Sequence, residues 1–179
     1  IDRPIRFLDL CTGSGCLGIT TALTFPESTG VLADIESGAC DVARENVDFH
    51  QAGDRLEVIQ SDGFDDLFDD SFDVIICNPP YVDAEDMADL PPEYRKEPEV
   101  ALASGEDGLE LVRRLLSQAS DWLSDDGIMI LEVGNTWGLL DREVTARTGE
   151  PVQWLEFEFG GHGVCVLSKH ELNTLYSAF

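Results

Sequence analysis

The 179-residue chain is long enough to bury a hydrophobic core within one domain, and 43% hydrophobic with 26% charged residues describes a soluble globular protein. Its 36 acidic and 11 basic residues leave a formal net charge of -25, which disfavours binding to nucleic acid or anionic membranes and favours basic partners. Adaptation to a salty cytoplasm would produce the same acidic, lysine-poor surface, and composition does not separate the two interpretations.

Strand and helix patterns alternate through the first half of the chain. Apolar runs predict strands over 5–10, 31–34, 56–60 and 72–77. A helix is predicted from Gly15 to about Phe25, where Pro26 stops it. A second helix is predicted from Ser37, as its N-cap, to about Gln51.

The second half continues the alternation and then changes character. Apolar residues at helical spacing predict a helix over 109–123, followed by a fully buried strand over 127–133 and a helix over about 137–147. Two strands, 154–159 and 164–167, are predicted around a glycine-rich turn. The pattern predicts an α/β fold with a mostly parallel seven-stranded twisted sheet, an antiparallel C-terminal strand pair and helices on both faces.

Polar residues recur where the predicted parallel strands end. Asp9, Asp34, Asp62 and Asn78 lie at or just past four strand ends, so they share the edge where such sheets bind ligands. Glu132 and Asn135, near the end of the fifth strand, are candidates for a supporting role there. The connection over 82–107 carries three prolines and has a length typical of a lid or a binding loop.

The loop after the first strand has the pattern G-x-G-x-x-G, formed by Gly13, Gly15 and Gly18. Asp34 follows at the end of the second strand, where a carboxylate can accept ribose hydroxyl groups. The pattern is compatible with NAD as well as with S-adenosylmethionine. Asp9, just before the loop, favours S-adenosylmethionine. Its carboxylate can help to orient the cationic methionine end of that cofactor, whereas it would repel the pyrophosphate of NAD. Asp62 favours S-adenosylmethionine too, because it can accept the adenine amino hydrogens.

Asn78-Pro79-Pro80-Tyr81 follows the fourth strand, and its prolines cannot continue a central strand. The Asn78 amide and the carbonyl groups of the turn are acceptors beside a planar aromatic ring. Such a site suits a flat amide or amino group. A methyl donor bound next to it would explain the motif as the place where the nitrogen of that group is methylated.

Cysteine and histidine usage points away from disulfides and metal. Five cysteines, an odd number without a C-x-x-C pair, indicate a reducing compartment, and the three histidines lack metal-ligand spacing. No metal site is expected.

Together the motif residues resemble class I methyltransferases that act on planar nitrogens. The stretches 82–98 and 101–109 are similar to the glutamine methyltransferases of translation proteins. Within that family, the stretch 83–87 and the loop 11–16 are most similar to the branch that modifies large-subunit ribosomal protein L3. The other branch modifies peptide-chain release factors. The resemblance covers the whole chain and implies a Rossmann-like fold, S-adenosylmethionine as cofactor, and methyl transfer to the side-chain nitrogen (N5) of a glutamine.

The motifs and the resemblance assign the following site residues. The predicted cofactor-binding residues are Asp9, Thr12, Gly13, Ser14, Gly15, Cys16, Asp34, Ile35, Asp62, Gly63, Phe64 and Asn78. The predicted catalytic residues are Asn78, Pro79, Pro80 and Tyr81, and the predicted substrate-loop residues are Arg95, Glu97 and Pro98.

The resemblance also implies domain organisation and partners. Family members carry an N-terminal helical recognition domain, whereas residues 1–179 correspond to the catalytic domain, so we expect a fragment without it. We further expect a cytoplasmic monomer that acts on a basic protein, with no membrane association and no direct binding to nucleic acid. A nucleic-acid adenine N6-methyltransferase would need a basic groove. A cofactor-binding scaffold without catalysis and an NAD oxidoreductase both leave Asn78 unexplained.

Overall fold

The computed structural model describes residues 3–68, 71–80, 107–158 and 161–176. Within these residues seven strands form one sheet in the order β3-β2-β1-β4-β5-β7-β6. The strands are β1 Arg6–Leu10, β2 Thr29–Asp34, β3 Leu56–Gln60, β4 Phe72–Cys77, β5 Leu123–Glu132, β6 Gln153–Trp154 and β7 Val164–Ser168. The α-helices are α1 Cys16–Thr24, α2 Ser37–Phe49, α3 Glu110–Trp122, α4 Trp137–Thr148 and α5 Lys169–Tyr176.

The sheet is mixed, as the sequence predicts. Strands β1 to β5 are parallel to one another, and β7 runs antiparallel to both β5 and β6. The predicted α/β fold and its antiparallel C-terminal pair are confirmed. Parallel strands joined by helices require cover on both faces, which explains the near-continuous apolar runs of β1 and β4.

Two hydrophobic clusters, one on each face of the sheet, form the core. Ile19 of α1 and Val47 of α2 belong to the cluster that contains Leu32 of β2. Helices α3, α4 and α5 contribute to the second cluster, which also holds the large buried side chains of β4 and β5. The second cluster is the larger, so α3, α4 and α5 provide most of the packing on their face.

The parallel register brings the carboxyl ends of the strands to one edge of the sheet. Leu10 of β1 pairs with Ala33 of β2 and with Cys77 of β4. Cys77 in turn pairs with Leu131 of β5. Residues that follow these positions therefore lie side by side at one edge, which we call the carboxyl edge.

The start of β5 differs from the prediction. The strand begins at Leu123, before the predicted position 127, because Leu123 is buried and pairs with Phe72. The next paired residues are Val74 and Ile128, so the register shifts between the two pairs. This irregularity accommodates the extra residues of β5 and ends α3 directly against the strand.

The predicted strand over 154–159 is wrong in extent. Only Gln153 and Trp154 form β6, and one further bond, from the Leu155 N–H to the Val164 carbonyl, extends the pairing at 2.8 Å. Phe157 is 46% exposed. The alternating pattern of this segment therefore does not correspond to a buried face.

Two helix starts also differ from the prediction. Ser37 is the first residue of α2 instead of its N-cap, which is Glu36. Helix α5 is absent from the prediction, although it begins with a capping box that is visible in the sequence. Glu171 accepts hydrogen bonds from the Ser168 N–H at 2.7 Å and from its hydroxyl at 2.6 Å, and the Glu171 N–H donates to the Ser168 hydroxyl at 3.2 Å.

Candidate active site

The loop from Asp9 to Gly18 joins β1 to α1 and is tied to the end of β2. The Thr12 N–H donates to the Ala33 carbonyl at 3.0 Å, and the Gly13 N–H donates to Asp34 Oδ2 at 2.8 Å. Because Ala33 and Asp34 belong to the neighbouring strand, these bonds hold the loop at the carboxyl edge.

The three glycines of the loop have different physical roles. Gly13 has φ +56°, and a Cβ added there would meet no atom within 4 Å, so its backbone faces open space. Gly15 has φ +82° and begins the turn into α1. A Cβ on Gly18 would lie 2.8 Å from Leu32 and 3.0 Å from Asp9 Oδ2, so this glycine permits close packing of α1. Only the first glycine leaves room for a ligand.

Asp9 is 1% exposed and lies beneath the loop. Its Oδ2 atom accepts hydrogen bonds from the Thr12 hydroxyl at 2.5 Å and the Gly18 N–H at 2.8 Å. Its Oδ1 atom is buried without a hydrogen-bond partner in the described part of the chain. Burial raises the pKa of Asp9 from 3.8 to about 6, although the two hydrogen bonds lower it. In this geometry the carboxylate organises the loop from within.

Asp34 ends β2 and uses both carboxylate oxygens. Oδ2 accepts the Gly13 N–H, and Oδ1 accepts the Glu36 N–H at 3.0 Å. The following residue, Ile35, is 45% exposed despite being apolar. The fixed Asp34 carboxylate could accept hydrogen bonds from a ribose, and the exposed Ile35 side chain could pack against an attached flat ring.

Further contacts stabilise the outer part of the glycine loop. The Asn46 side chain of α2 donates to the Ser14 carbonyl at 2.9 Å, a contact that sequence reasoning missed because it crosses two elements. Ser14 Oγ and Cys16 Sγ lie 3.2 Å apart. Cys16 is exposed at the start of α1, whereas the other four cysteines, all within the described residues, are partly or fully buried, and all five are free thiols.

The turn after β3 provides a carboxylate and a packed ring. Asp62 forms an ion pair with Arg114 of α3, and this hydrogen bond lowers the pKa of Asp62 below its ordinary value. Phe64 is 3% exposed and stacks on Trp122, with ring centroids 5.6 Å apart and planes at 13°. The ring of Phe64 therefore belongs to the core, and at this position the backbone is the part left for contact with a ligand.

Asn78 follows β4 and its side chain is exposed at the carboxyl edge. Pro79 is buried and Pro80 is half-buried, so the two prolines anchor the turn while Asn78 remains exposed. Tyr81 and the predicted substrate-loop residues Arg95, Glu97 and Pro98 lie outside the described residues.

Two polar side chains, Asn135 and His162, form a pair near the end of β5. Asn135 Oδ1 and His162 Nε2 lie 3.1 Å apart. A Cβ on Gly163 would lie 2.3 Å from the Gly134 carbonyl oxygen, so the two backbones are in contact. Glu132 ends β5 next to Val164.

The carboxyl edge thus gathers most of the described members of the predicted site, whereas the ring of Phe64 lies in the core. An open backbone at Gly13, acceptors at Asp34 and Asp62, and an exposed amide at Asn78 follow four strands whose register keeps them neighbours. Among the described residues no cluster of His, Cys, Asp and Glu could hold a metal ion. None of the described helices has the length and hydropathy that a membrane span requires.

Curated relatives match the chain along most or all of its length. It is 42% identical over 179 residues to the ribosomal protein uL3 glutamine methyltransferase of Francisella tularensis, covering 100% of this chain and 56% of the relative. It is 43% identical over 169 residues to the protein of the same name from Bordetella pertussis, covering 94% and 56% respectively. The resemblance predicted from the sequence is confirmed, and the chain spans about half the length of these relatives.

Solved structures with low sequence identity share the fold. A methyltransferase from Pyrococcus furiosus has a TM-score of 0.66 at 20% identity, covering 93% of this chain and 75% of that one. TrmN from Thermus thermophilus has a TM-score of 0.63 at 21% identity, covering 93% and 45%. PKMT2 from Rickettsia typhi, in complex with AdoHcy, has a TM-score of 0.51 at 15% identity, covering 82% and 24%.

The family described as the methyltransferase small domain matches residues 2–91, just over half of the chain. This range contains the glycine loop, Asp34 at the end of β2, Asp62 in the turn after β3, and Asn78. The match and the Rossmann-like sheet agree, and the chain belongs to the methyltransferase small domain family.

Proposed function

We propose that this chain transfers a methyl group from S-adenosylmethionine to the side-chain amide nitrogen (N5) of a glutamine in ribosomal protein L3. The observation that carries the proposal is the exposed residue Asn78 at the end of β4, beside the glycine loop that the Gly13–Asp34 hydrogen bond holds in place. The curated relatives, named as uL3 glutamine methyltransferases, support the choice of substrate.

The residues of the carboxyl edge fit the cofactor. Gly13 leaves open space where a side chain would stand, so a ligand can approach the backbone there. The Asp34 carboxylate can accept ribose hydroxyl groups, and the Asp62 carboxylate can accept the adenine amino hydrogens. When bound, S-adenosylmethionine supplies an electrophilic methyl group on its sulfonium. The AdoHcy complex of the structural neighbour PKMT2 is consistent with this assignment.

Asn78 and Pro79 would orient the acceptor amide. An amide nitrogen is a poor nucleophile, because its lone pair is delocalised into the carbonyl. If the Asn78 side-chain oxygen and the Pro79 carbonyl accept its two hydrogens, the nitrogen is held with its lone pair toward the methyl group. Both acceptors also stabilise the positive charge that develops on the nitrogen during attack. Fixing the reactants in this way can contribute about 7–11 kcal/mol to catalysis.

The anchored turn favours this orientation of the acceptor amide. Pro79 is buried and both prolines have restricted φ, so the acceptors of the turn require little reordering when the amide binds. Tyr81 would pack against the flat amide, and Arg95, Glu97 and Pro98 would cover it. No general base is needed in this scheme, since alkylation makes the product nitrogen acidic enough to release its proton to water.

The charge of the chain supports a basic protein substrate. A formal net charge of -25 attracts a basic partner, as a ribosomal protein is expected to be, and opposes direct contact with nucleic acid. A peptide-chain release factor is the alternative acceptor. The monomeric state and the cytoplasmic location remain predictions of the same proposal.

Methyl transfer to purified acceptors tests the proposal. The chain is incubated with S-adenosylmethionine and either ribosomal protein L3 or a release factor, and peptide mass spectrometry locates any added methyl group. We expect modification of one L3 glutamine. Asn78→Ala should lower the rate about 100-fold or more while cofactor affinity stays within about tenfold. Asn173→Ala, an exposed asparagine on α5, provides the matched control. Methylation of the release factor alone would refute the substrate, and equal activity of both variants would refute the role of Asn78.

A further inference from the structure

A guanidinium group lies at the predicted adenine end of the site. Arg114 of α3 and Asp62 are 52 positions apart in the chain, and Arg114 Nη2 contacts Asp62 Oδ1. The two side chains are 41% and 46% exposed. Water therefore reaches the pair, and a ligand at the carboxyl edge could reach it as well.

The turn that carries Asp62 is shaped to receive α3 closely. Gly63 has φ +63°, and a Cβ added there would lie 3.1 Å from Leu115 Cδ2 and 3.6 Å from Arg114 Nη2. The next residue, Phe64, stacks on Trp122 at the other end of the same helix. Since Leu115 is fully buried, the turn and α3 form one packed unit that sets the position of the guanidinium.

We propose that Arg114 is a positioning residue of the cofactor site, which holds the Asp62 carboxylate so that Oδ2 accepts the exocyclic amino group of adenine. The inference rests on the proposed function, because that function places adenine at Asp62. Arg114 occupies Oδ1 and thereby restricts rotation of the carboxylate, so less conformational freedom is lost when the ligand binds. The hydrogen bond from Arg114 lowers the pKa of Asp62 below its ordinary value, which further favours the ionised form that accepts hydrogen bonds.

Such a carboxylate discriminates between purines. Adenine presents an amino donor to Oδ2, whereas hypoxanthine presents a carbonyl oxygen, which a fixed carboxylate repels. Specificity of this kind depends on the polar group being held in place, because a mobile carboxylate turns away from the unfavourable partner. Arg114 is therefore expected to contribute to specificity as well as to affinity.

The adjacent Arg113 provides a matched control on the same helix. Its guanidinium donates to Asp107 Oδ1 at 3.1 Å and Oδ2 at 2.5 Å, and to Glu143 Oε2 at 3.0 Å and Oε1 at 2.5 Å. These bonds tie the start of α3 to α4. Removing Arg113 deletes the same charge and a larger set of ion-pair contacts than removing Arg114, without touching Asp62.

Titration calorimetry with two product analogues tests the inference. S-adenosylhomocysteine and S-inosylhomocysteine are titrated into the wild-type chain, Arg114→Ala, Arg114→Lys and Arg113→Ala. We expect the wild type to prefer the adenine ligand about tenfold or more. Arg114→Ala should weaken the adenine ligand about fivefold and leave the inosine ligand within about twofold, with partial rescue by lysine. Arg113→Ala should leave the ratio of the two affinities unchanged.

Two outcomes would overturn the inference in different ways. An unchanged affinity ratio in Arg114→Ala, whether or not both affinities fall, would show that Arg114 has at most a structural role, while the proposed function stands. A wild-type chain that binds neither ligand would overturn both the inference and the proposed cofactor. Circular dichroism of each variant shows whether it is folded, and Arg114→Lys provides the readout if the alanine variant unfolds.

Discussion

Substitution of the buried Asp9 by asparagine should change how stability depends on pH. Its carboxyl has a pKa of about 6 in the folded chain, above the ordinary 3.8, so the folded state binds the proton more tightly than the unfolded state. Well below pH 3.8 the carboxyl is protonated in both states, so it contributes no pH-dependent difference in stability. As the pH rises from about 4 to 6 the folded state loses stability, because it must hold an ionised carboxylate.

The size of the effect follows from the pKa difference. Each pKa unit corresponds to about 1.4 kcal/mol, so the ionised carboxylate destabilises the folded chain by about 3 kcal/mol above pH 6. An asparagine oxygen can still accept from Thr12 and Gly18. Its amide nitrogen would replace the unpartnered Oδ1 and leave a buried donor unsatisfied, at a cost of about 1–3 kcal/mol that does not depend on pH.

Urea denaturation of the wild type and Asp9→Asn at a series of pH values measures the difference. The free energy of unfolding of the variant, relative to wild type, should rise by about 3 kcal/mol between pH 4 and pH 7. Asp73→Asn is the control with the opposite sign, because the hydrogen bond from Arg3 lowers the pKa of Asp73 and its stabilisation is lost as pH falls. Parallel curves for wild type and Asp9→Asn would refute the reasoning.

Two further predictions concern the core and the glycine loop. Phe64→Ala should lower the free energy of unfolding by about 3–5 kcal/mol in chemical denaturation, because the ring is buried against Trp122, whereas Phe49→Ala, at a residue 79% exposed, should change it by less than about 0.5 kcal/mol. Equal effects would contradict the burial of Phe64. A maleimide should label Cys16 fastest among the cysteines, and S-adenosylmethionine at ten times its Kd should slow this labelling about tenfold, as followed by peptide mass spectrometry. Unprotected labelling with the cofactor bound would place the ligand elsewhere.

The elements that sequence alone determined are those whose signal is local. The bounds of β3 and β4 were predicted correctly, because each is a short apolar run ended by polar residues or prolines. The glycine loop and Asn78 were likewise recognisable, since backbone turns and strand ends depend on residue type at fixed spacing. Even the unpredicted α5 carries a local signal, the capping box of Ser168 and Glu171.

Only the tertiary structure determined the burial of side chains, the start of β5 and the ion pairs between distant segments, because these features depend on packing. The sequence did not show that Asp9 would be buried beneath its own loop, that Phe64 would turn into the core, or that β5 would begin at Leu123. Nor could it pair Asp62 with Arg114, because an ion pair between residues 52 positions apart exists only once α3 has packed against the sheet. Burial, pKa and partner choice are properties of that packed environment, so spacing along the chain does not encode them directly.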